Sequence, residues 1–335
     1  MIENVLEVKD LKVEFDTYGG VVQAVRGVHF QVQKGKTLAI VGESGCGKSV
    51  SIQSILGLIP TPPGRITSGS AKLNGQELMG LPLKELNKVR GNNVGVIFQD
   101  PMSSLNPTMT IGEQISETLR YHKDVSRKEG RRRAIELLGK VQISEAASRV
   151  DSYPFQFSGG MRQRVMIAMA LACEPELLIA DEPTTALDVT IQSQILNLLK
   201  ELQNQSHMAL ILITHDLGVV ARMADTVSVM YAGQVVEHGT VDDIFYRSTH
   251  PYTSGLRAAL PTRERNRQKL IPIDGAPPDL FSPPKGCGYF ARCPSAMKIC
   301  ENRNPPEFVN STSHYGRCWL AQKNSMTPMP TEGVL

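Results

Sequence analysis

The sequence predicts an α/β fold in which buried strands carry a nucleotide-binding loop at one end. The first reason is a complete G-x-x-x-x-G-K-[ST] pattern at residues 42–49. The second is a set of short apolar segments that are each followed by polar side chains, as at residues 177–182. The third is that segments with helical periodicity alternate with these strands, which is typical of βαβ units.

The loop at residues 42–49 has the context that a phosphate site requires. The apolar run Thr37–Val41 predicts a buried strand before it, and Val50–Leu58 predicts a helix after it. Its glycines allow backbone N–H groups to turn towards an anion at the positive end of that helix. Lys48 is expected to reach the β- and γ-phosphates and the Ser49 hydroxyl to bind Mg²⁺. The expected nucleotide contacts are Gly42, Glu43, Ser44, Gly45, Cys46, Gly47, Lys48, Ser49 and Val50.

Two segments before the loop predict an antiparallel pair of strands. Apolar and polar residues alternate in Leu6–Phe15 and again in Val22–Val32. A turn at Tyr18-Gly19-Gly20 separates them. The Tyr18 ring is a candidate for stacking on adenine, and an ordinary exposed tyrosine is the alternative.

Polar side chains follow the apolar strands at the edge where ligands bind in such sheets. Gln99 is placed to reach a metal ion or water, with an exposed glutamine as the alternative. Asp181 and Glu182 are adjacent carboxylates, which are costly to bury without a cation or a reaction that uses them. Asp181 is predicted to face Mg²⁺ and Glu182 to act as the general base towards water. His215 follows the next strand and joins this edge.

A second anion site is predicted where Phe157–Met161 opens the helix Arg162–Cys173. A serine and two glycines at a helix N-terminus suit an anion, although a simple N-cap explains the serine equally well. The segment Thr110–Ala147 has helical periodicity and predicts a helical insert.

Composition limits the function classes. The chain has 335 residues, 41% hydrophobic and 21% charged, with a net charge of +3. No apolar run approaches the ~20 residues that span a bilayer, and the polar start Met1–Asp10 does not resemble a signal peptide, so a cytoplasmic protein is expected. The one dense basic cluster, Arg131–Arg133, fits a solvated helix face and gives no argument for nucleic acid.

The segment after residue 255 is rich in proline and glycine and predicts a poor core. Its cysteines have the spacing C-x5-C-x6-C-x17-C, and a cytosolic location argues against disulfides. Four thiolates can bind tetrahedral zinc or an iron-sulfur cluster, and the spacing alone does not decide between them. The residues are Cys287, Cys293, Cys300 and Cys318.

In this order, the motifs resemble those of the ATP-binding subunits of ABC transporters. Walker A is at residues 42–49, the Q-loop at Gln99, the signature at 157–161, Walker B at 177–181 followed by Glu182, and the D-loop at 186–188. The resemblance implies a P-loop NTPase fold of the ABC type with an antiparallel β subdomain, a helical insert and a small cysteine-containing extension. It implies a nucleotide-binding domain at residues 1–255, with its helical subdomain at about 105–165, and an extension at 256–335.

Three further segments look like the branch that imports dipeptides and oligopeptides, of the oligopeptide-permease D type. They are Gln99–Pro107, Met161–Leu171 and His250–Thr253. The resemblance implies an ATPase that powers peptide import at the cytoplasmic face of the cell membrane. Its implied partners are two transmembrane permease subunits, a second related ATPase and, indirectly, an extracytoplasmic solute-binding protein. Nickel, glutathione or another solute is the alternative cargo within this branch.

The resemblance also assigns roles to residues. Glu182 orients water, His215 senses the γ-phosphate, and Gln99 binds Mg²⁺ with Ser49 and Asp181 and couples hydrolysis to the membrane subunits. The signature residues Ser158, Gly159, Gly160 and Met161 contact the nucleotide of the partner ATPase, and Tyr18 stacks on adenine. The cysteines are implied to hold a [4Fe-4S] cluster, with zinc as the alternative.

A different class remains open, a soluble ABC ATPase acting on ribosomes or DNA. Such chains usually carry two nucleotide domains or a long coiled coil, and neither pattern is present in the sequence.

Because Cys46 lies inside the phosphate loop, alkylation of its thiol is expected to block ATP binding, and Mg-ATP is expected to protect it.

Overall fold

The computed structural model describes residues 3–185, 187–259 and 272–324. Ala186 of the expected D-loop and residues 260–271 of the extension lie outside the described residues. Contacts divide the chain into two compact units. The first unit comprises the described residues before 7, residues 31–37 and residues 72–213. The second comprises residues 7–30, residues 38–71 and the described residues after 213.

Strands and helices alternate through most of the described chain. The strands are β1 (Asn4–Thr17), β2 (Gly20–Gln33), β3 (Thr37–Val41), β4 (Gly64–Leu73), β5 (Gln76–Glu77), β6 (Val94–Ile97), β7 (Leu177–Asp181), β8 (Ala209–Thr214), β9 (Thr226–Tyr231), β10 (Gln234–Thr240), β11 (Phe308–Ser311) and β12 (His314–Gly316). The helices are α1 (Lys48–Ile55), α2 (Leu83–Val89), α3 (Pro101–Ser104), α4 (Ile111–Lys123), α5 (Arg127–Lys140), α6 (Ala146–Arg149), α7 (Gly159–Ala170), α8 (Val189–Ser206), α9 (Leu217–Met223), α10 (Val241–Tyr246), α11 (Pro251–Ala258) and α12 (Lys298–Asn302). In the described ranges, no helix combines the length and the apolar character needed to cross a bilayer.

The first unit contains a parallel sheet with the order β8-β7-β6. Every residue of β7 and β8 is buried, because strands of a parallel sheet are covered on both faces. Helices α4 and α5 lie in the segment Thr110–Ala147 that the sequence predicts to be helical, and they pack against each other and against α7. The side chains of Thr110 and Ser126 cap α4 and α5 by accepting hydrogen bonds from the backbone three residues later.

In the second unit, β1 and β2 form the predicted hairpin, since only Tyr18 and Gly19 separate them. Five strands there are hydrogen-bonded neighbours in the order β11-β12-β10-β9-β3. β3 and β9 are parallel, and β9 and β10 form the predicted hairpin around Ala232-Gly233. Both turn residues have positive φ, 49° and 78°, as a two-residue hairpin turn of this hand requires.

The described part of the C-terminal extension contributes more structure than its composition predicts. β12 pairs with β10 at Glu237↔Gly316, and β11 pairs with β12, so the extension widens the sheet. Phe308 is 1% exposed and Tyr289 is 3% exposed. The expectation of a poor core is therefore corrected for these segments, because a few large side chains here are buried against strands from earlier in the chain.

Candidate active site

The phosphate loop follows β3, whose five residues are all buried. Gly47 has φ 99°, and an added Cβ would lie 2.5 Å from the carbonyl oxygen of Ala24. A Cβ at Gly42 would clash with the carbonyl oxygen of Met230. Side chains are therefore excluded from these two positions by neighbouring backbone as well as by conformation. Ser44 and Gly45 are exposed at the tip of the loop.

Lys48 is the first residue of α1, which begins two residues before the predicted Val50 because Gly47 already acts as its N-cap. The side chain is 6% exposed. Its ammonium donates hydrogen bonds to the carbonyl oxygens of Gly42 at 2.8 Å and Glu43 at 3.0 Å. The loop therefore holds a buried cation at a helix N-terminus, which is the charge arrangement that binds phosphate.

Cys46 faces inward within the loop and is 5% exposed. Its Sγ lies 4.0 Å from the Lys48 ammonium. Burial raises the pKa of the thiol above its ordinary value, although the nearby Lys48 opposes this shift. The thiol is therefore protonated and poorly accessible at neutral pH, which makes it a weak nucleophile.

Glu43, the second residue of the loop, is fixed by residues that the sequence did not predict for this site. Its backbone N–H donates to the Tyr252 hydroxyl at 3.0 Å. Its carboxylate accepts a hydrogen bond from Arg292 at 2.7 Å, forming an ion pair. Burial lowers the pKa of Arg292, but hydrogen bonds to Glu43 and Tyr231 outweigh it and raise the pKa overall. The only sequence signal for either residue was Tyr252 within the motif His250–Thr253.

The carboxylates at the end of β7 lie in the first unit, as does Gln99. Asp181 is 7% exposed and is the last residue of the strand. Glu182 follows with φ 47°, and its backbone N–H donates to the carbonyl of Ile213 at 2.9 Å. The Gln99 amide donates to the Glu182 carboxylate at 3.1 Å. The structure thus places Gln99 and Glu182 in direct contact.

The signature segment also lies in the first unit. Ser158 is the N-cap of α7 and its hydroxyl accepts a hydrogen bond from the Met161 N–H at 3.4 Å. Ser158 and Gly159 are exposed, whereas Phe157 is 2% exposed and anchors the segment. A Cβ at Gly160 would lie 2.8 Å from the Ile191 side chain, so close helix packing explains this glycine.

Tyr18 and His215 belong to the second unit, together with residues 42–50. Tyr18 lies in the turn between β1 and β2, and its ring is fully exposed. His215 follows β8 and is exposed. The next residue, Asp216, caps α9 by accepting a hydrogen bond from the Gly218 N–H at 2.7 Å. Both predicted residues therefore lie at the surface of the second unit.

The four cysteines of the extension line one small cavity of about 10 Å³. Burial raises the pKa of Cys287 and of Cys318 to about 11. Across the described ranges, no three His, Cys, Asp or Glu side chains are arranged to hold a single metal ion. The structure therefore brings the four predicted cysteines around one small cavity.

Comparison with known protein families gives two matches. Residues 25–185 match the ABC transporter family, and residues 236–300 match the family described as oligopeptide/dipeptide transporter, C-terminal region. The chain is 54% identical to the dipeptide transport ATP-binding protein DppD of Bacillus subtilis over 97% of both chains. It is 55% identical to the oligopeptide transport ATP-binding protein OppD of the same organism, over 99% of this chain and 93% of the relative. It is 52% identical to the OppD protein of Salmonella typhimurium over 90% of each.

Solved structures show the same fold. The dimeric post-hydrolysis structure of the ATP-binding cassette MJ0796, bound to ADP and Pi, matches with a TM-score of 0.63 and 28% identity. The match covers 70% of this chain and 98% of that one. The protein cbiO1 from Clostridium perfringens, part of the ABC transporter complex cbiONQ, matches with a TM-score of 0.62 over 72% of this chain and 91% of that one, at 28% identity.

Proposed function

Because this chain belongs to the ATP-binding proteins of the oligopeptide and dipeptide ABC transporter family, we propose that it hydrolyses ATP to power the import of di- or oligopeptides through a membrane complex. The observation that carries this proposal is how much of the chain is similar to peptide-transport ATPases. It includes the phosphate loop and also the cysteine-bearing extension, so the chain resembles peptide-transport ATPases along its whole length.

The proposed chemistry follows from the charges at the two strand ends. Lys48 binds the β- and γ-phosphates, and Glu182, oriented by Gln99, accepts a proton from the attacking water. Ser49, Gln99 and Asp181 hold Mg²⁺, which neutralises charge on the phosphates. His215 senses the γ-phosphate and the exposed ring of Tyr18 stacks on adenine. The remaining loop residues, Gly42–Gly47 and Val50, surround the phosphates through their backbone.

We propose that hydrolysis requires a second, related ATPase subunit. Ser158 and Gly159 are exposed at the N-terminus of a 12-residue helix, where they can contact a nucleotide held by that subunit together with Gly160 and Met161. The similar cassette MJ0796 is dimeric in its ADP-bound structure, which supports this arrangement. The isolated chain is then a poor ATPase.

The membrane partners are proposed from the named relatives and from an apolar patch in the first unit. Tyr153 and Phe155 stack at 5.7 Å, and Phe155 and Met102 are 69% and 64% exposed. Large exposed side chains of this kind are enriched at protein interfaces. We propose that this patch docks on one of two transmembrane permease subunits at the cytoplasmic face of the cell membrane. An extracytoplasmic solute-binding protein then acts only indirectly on this chain.

We further propose that the four cysteines hold a [4Fe-4S] cluster that ties the extension together. What supports it is that the four cysteine residues border one small cavity in a region that, apart from β11 and β12, is built from loops and short helices. The role is structural, because small loop-rich segments gain the most stability from a covalent cross-link or a bound metal group. We also propose that the ATPase domain comprises residues 1–255 and the extension residues 256–335.

The decisive experiment is transport by the native complex. The chain is tagged, the complex is purified from its membranes and reconstituted in vesicles with ATP, and uptake of labelled peptide, nickel and glutathione is compared. Peptide uptake that Glu182→Gln abolishes supports the proposal. Uptake of nickel or glutathione without uptake of peptide would show that the transported solute is not a peptide. Co-sedimentation of the chain with ribosomes or DNA rather than with membranes would overturn the proposal.

A further inference from the structure

Arg292 links the extension to the phosphate loop within the second unit. It ends the short 3₁₀ helix Phe290–Arg292 and immediately precedes Cys293. Its side chain is 6% exposed, and all three guanidinium nitrogens donate hydrogen bonds. The acceptors are the Glu43 carboxylate at 2.7 Å, the Tyr231 hydroxyl at 3.1 Å, the Asp274 carbonyl at 2.9 Å and the Ile273 carbonyl at 3.2 Å.

Aromatic rings surround this guanidinium. It lies 5.7 Å from the centre of the Tyr231 ring and 6.0 Å from that of Tyr289. Tyr231 contacts Tyr252 with a centroid distance of 4.5 Å, and both tyrosines are buried. The ion pair is therefore shielded from solvent on the arginine side, where removing one partner has a much larger effect than at an exposed surface.

Glu43 receives a second contact from the same part of the chain. The Tyr252 hydroxyl accepts the Glu43 backbone N–H, while Arg292 holds the Glu43 side chain. The carbonyl oxygen of Glu43 in turn accepts a hydrogen bond from the Lys48 ammonium. Glu43 is thus held on one side by Tyr252 of α11 and by Arg292 of the extension, and on the other side by the ammonium of Lys48.

We propose that Arg292 is a positioning residue for ATP binding, which holds Glu43 and, through it, the conformation of the phosphate loop. The inference rests on the proposed function only in taking ATP as the ligand of this loop. Arg292 does not touch the phosphates, so it acts through Glu43. Because Arg292 adjoins Cys293, the cysteine-bearing extension is required for full nucleotide affinity and is not a passive appendage.

The test is nucleotide affinity in the full chain within its native complex, measured by titration with a fluorescent ATP analogue. Arg292→Met is expected to weaken binding by about tenfold or more, because it leaves the loop carboxylate without its partner. The ATPase KM is expected to rise by a similar factor while kcat changes by less than about twofold, as expected when only ground-state binding is lost. Arg292→Lys, which keeps the charge, is expected to restore part of the affinity.

The matched control is Arg317→Met. Arg317 also lies in the extension, immediately before Cys318, and is 18% exposed, but its ion pair is with Glu307 at 2.5 Å. Glu43→Gln breaks the same pair from the side of the loop without altering the extension. Combining it with Arg292→Met is expected to weaken binding no more than either change alone, because both remove one interaction.

The outcomes separate this inference from the proposed function. If wild type binds no ATP analogue, the proposed function fails. If wild type binds and Arg292→Met binds within about twofold of it, the positioning role is wrong. An equal loss in Arg317→Met would also overturn it, since the effect would then reflect general damage to the extension. Should Arg292→Met fail to fold, Glu43→Gln decides the question alone.

Discussion

The side-chain amide of Gln99 donates a hydrogen bond to the carboxylate of Glu182 at 3.1 Å. The same carboxylate oxygen accepts the Thr185 hydroxyl at 3.0 Å. Glu182 has φ 47°, a conformation that non-glycine residues adopt rarely and that is concentrated at functional sites. The carboxylate is thus oriented by two neighbours, which is what a general base requires.

Glu182→Gln is expected to abolish hydrolysis while preserving ATP binding. The amide is nearly isosteric but cannot accept the proton from water, so the turnover of the complex should fall by at least about 100-fold. Thr185→Val is the control, because it removes one hydrogen bond and leaves the carboxylate. Phosphate release and nucleotide binding are measured on the same preparations. Turnover within a few-fold of wild type in Glu182→Gln would rule out the assigned role.

Gly47→Ala is expected to abolish nucleotide binding, and Gly80→Ala, outside the phosphate loop, is its matched control. Both glycines have positive φ, 99° and 78°, so each alanine carries a similar backbone strain of about 1 kcal/mol. Only at Gly47 would the added Cβ meet backbone, 2.5 Å from the Ala24 carbonyl, because nothing lies within 4 Å at Gly80. Equilibrium binding of the ATP analogue should separate the two variants. Equal affinities would contradict the steric argument.

Alkylation of Cys46 is expected to be slow at pH 7 and to accelerate as the pH rises above 9. Burial raises the pKa of this thiol, so the reactive thiolate is scarce at neutral pH. The rate is followed by mass spectrometry of the peptide containing Cys46 after timed exposure to iodoacetamide. Mg-ATP should slow the reaction further, and the modified chain should not bind nucleotide. Rapid stoichiometric labelling at pH 7 would show that the loop opens more readily than this structure indicates.

Local pattern predicted the strand that precedes the phosphate loop and the strand that ends at Asp181, because fully buried strands are recognisable as short apolar runs. It also predicted that Gln99 and Glu182 each follow a strand, but not the hydrogen bond that the structure shows between them. It did not predict Arg292, which is 249 residues from its partner Glu43. No periodicity or spacing encodes a contact of that separation, since it depends on how the extension folds back on the sheet.

The pairing of β12 with β10 was missed for the same reason. Residues 314–316 are too few to give an alternating pattern, and the strand exists because β10 offers an unpaired edge. Glu237 on β10 is fully buried there, and its carboxylate accepts hydrogen bonds from the Thr249 N–H at 2.6 Å and from His314 at 2.9 Å. A buried carboxylate with several donors fixes the extension against the sheet, and this network is invisible in the sequence alone.

Folding stability is expected to fall as the pH drops from 7.5 to 5.5. Burial, with smaller contributions from His29 and His314, lowers the pKa of His238 to about 4. The unfolded chain binds this proton near pH 6.5, so the stability contributed by neutral His238 is present above 6.5 and is lost between 6.5 and 4. At pH 5.5 the loss is about 1 kcal/mol. His238→Gln keeps a hydrogen-bonding group opposite the Ser228 hydroxyl, which lies 2.9 Å from the imidazole Nδ1.

Urea unfolding at the two pH values measures this effect. The pH-dependent loss in His238→Gln should be smaller than in wild type by about 1 kcal/mol, whatever its stability at pH 7.5. An identical loss in both proteins would show that other groups cause the pH dependence.

Anaerobically purified protein is expected to contain about four irons and four sulfides per chain and to show charge-transfer absorption in the visible range. Cys293→Ser should lose both, because Cys293 borders the cavity shared by the four thiols. Cys173→Ser is the control, since Cys173 is buried in the first unit and does not border this cavity. The readout is metal and sulfide content, which does not depend on ATPase activity.

One zinc per chain without iron would reject the cluster and leave the ATPase assignment intact, because the phosphate loop and the carboxylates do not depend on the metal. Raised thiol pKa values mean that either metal must displace protons on binding, so the protein should retain the metal better as the pH rises.

If Arg292 holds Glu43 as inferred, loss of the metal should also weaken ATP binding in wild type but change ATP binding little in Arg292→Met.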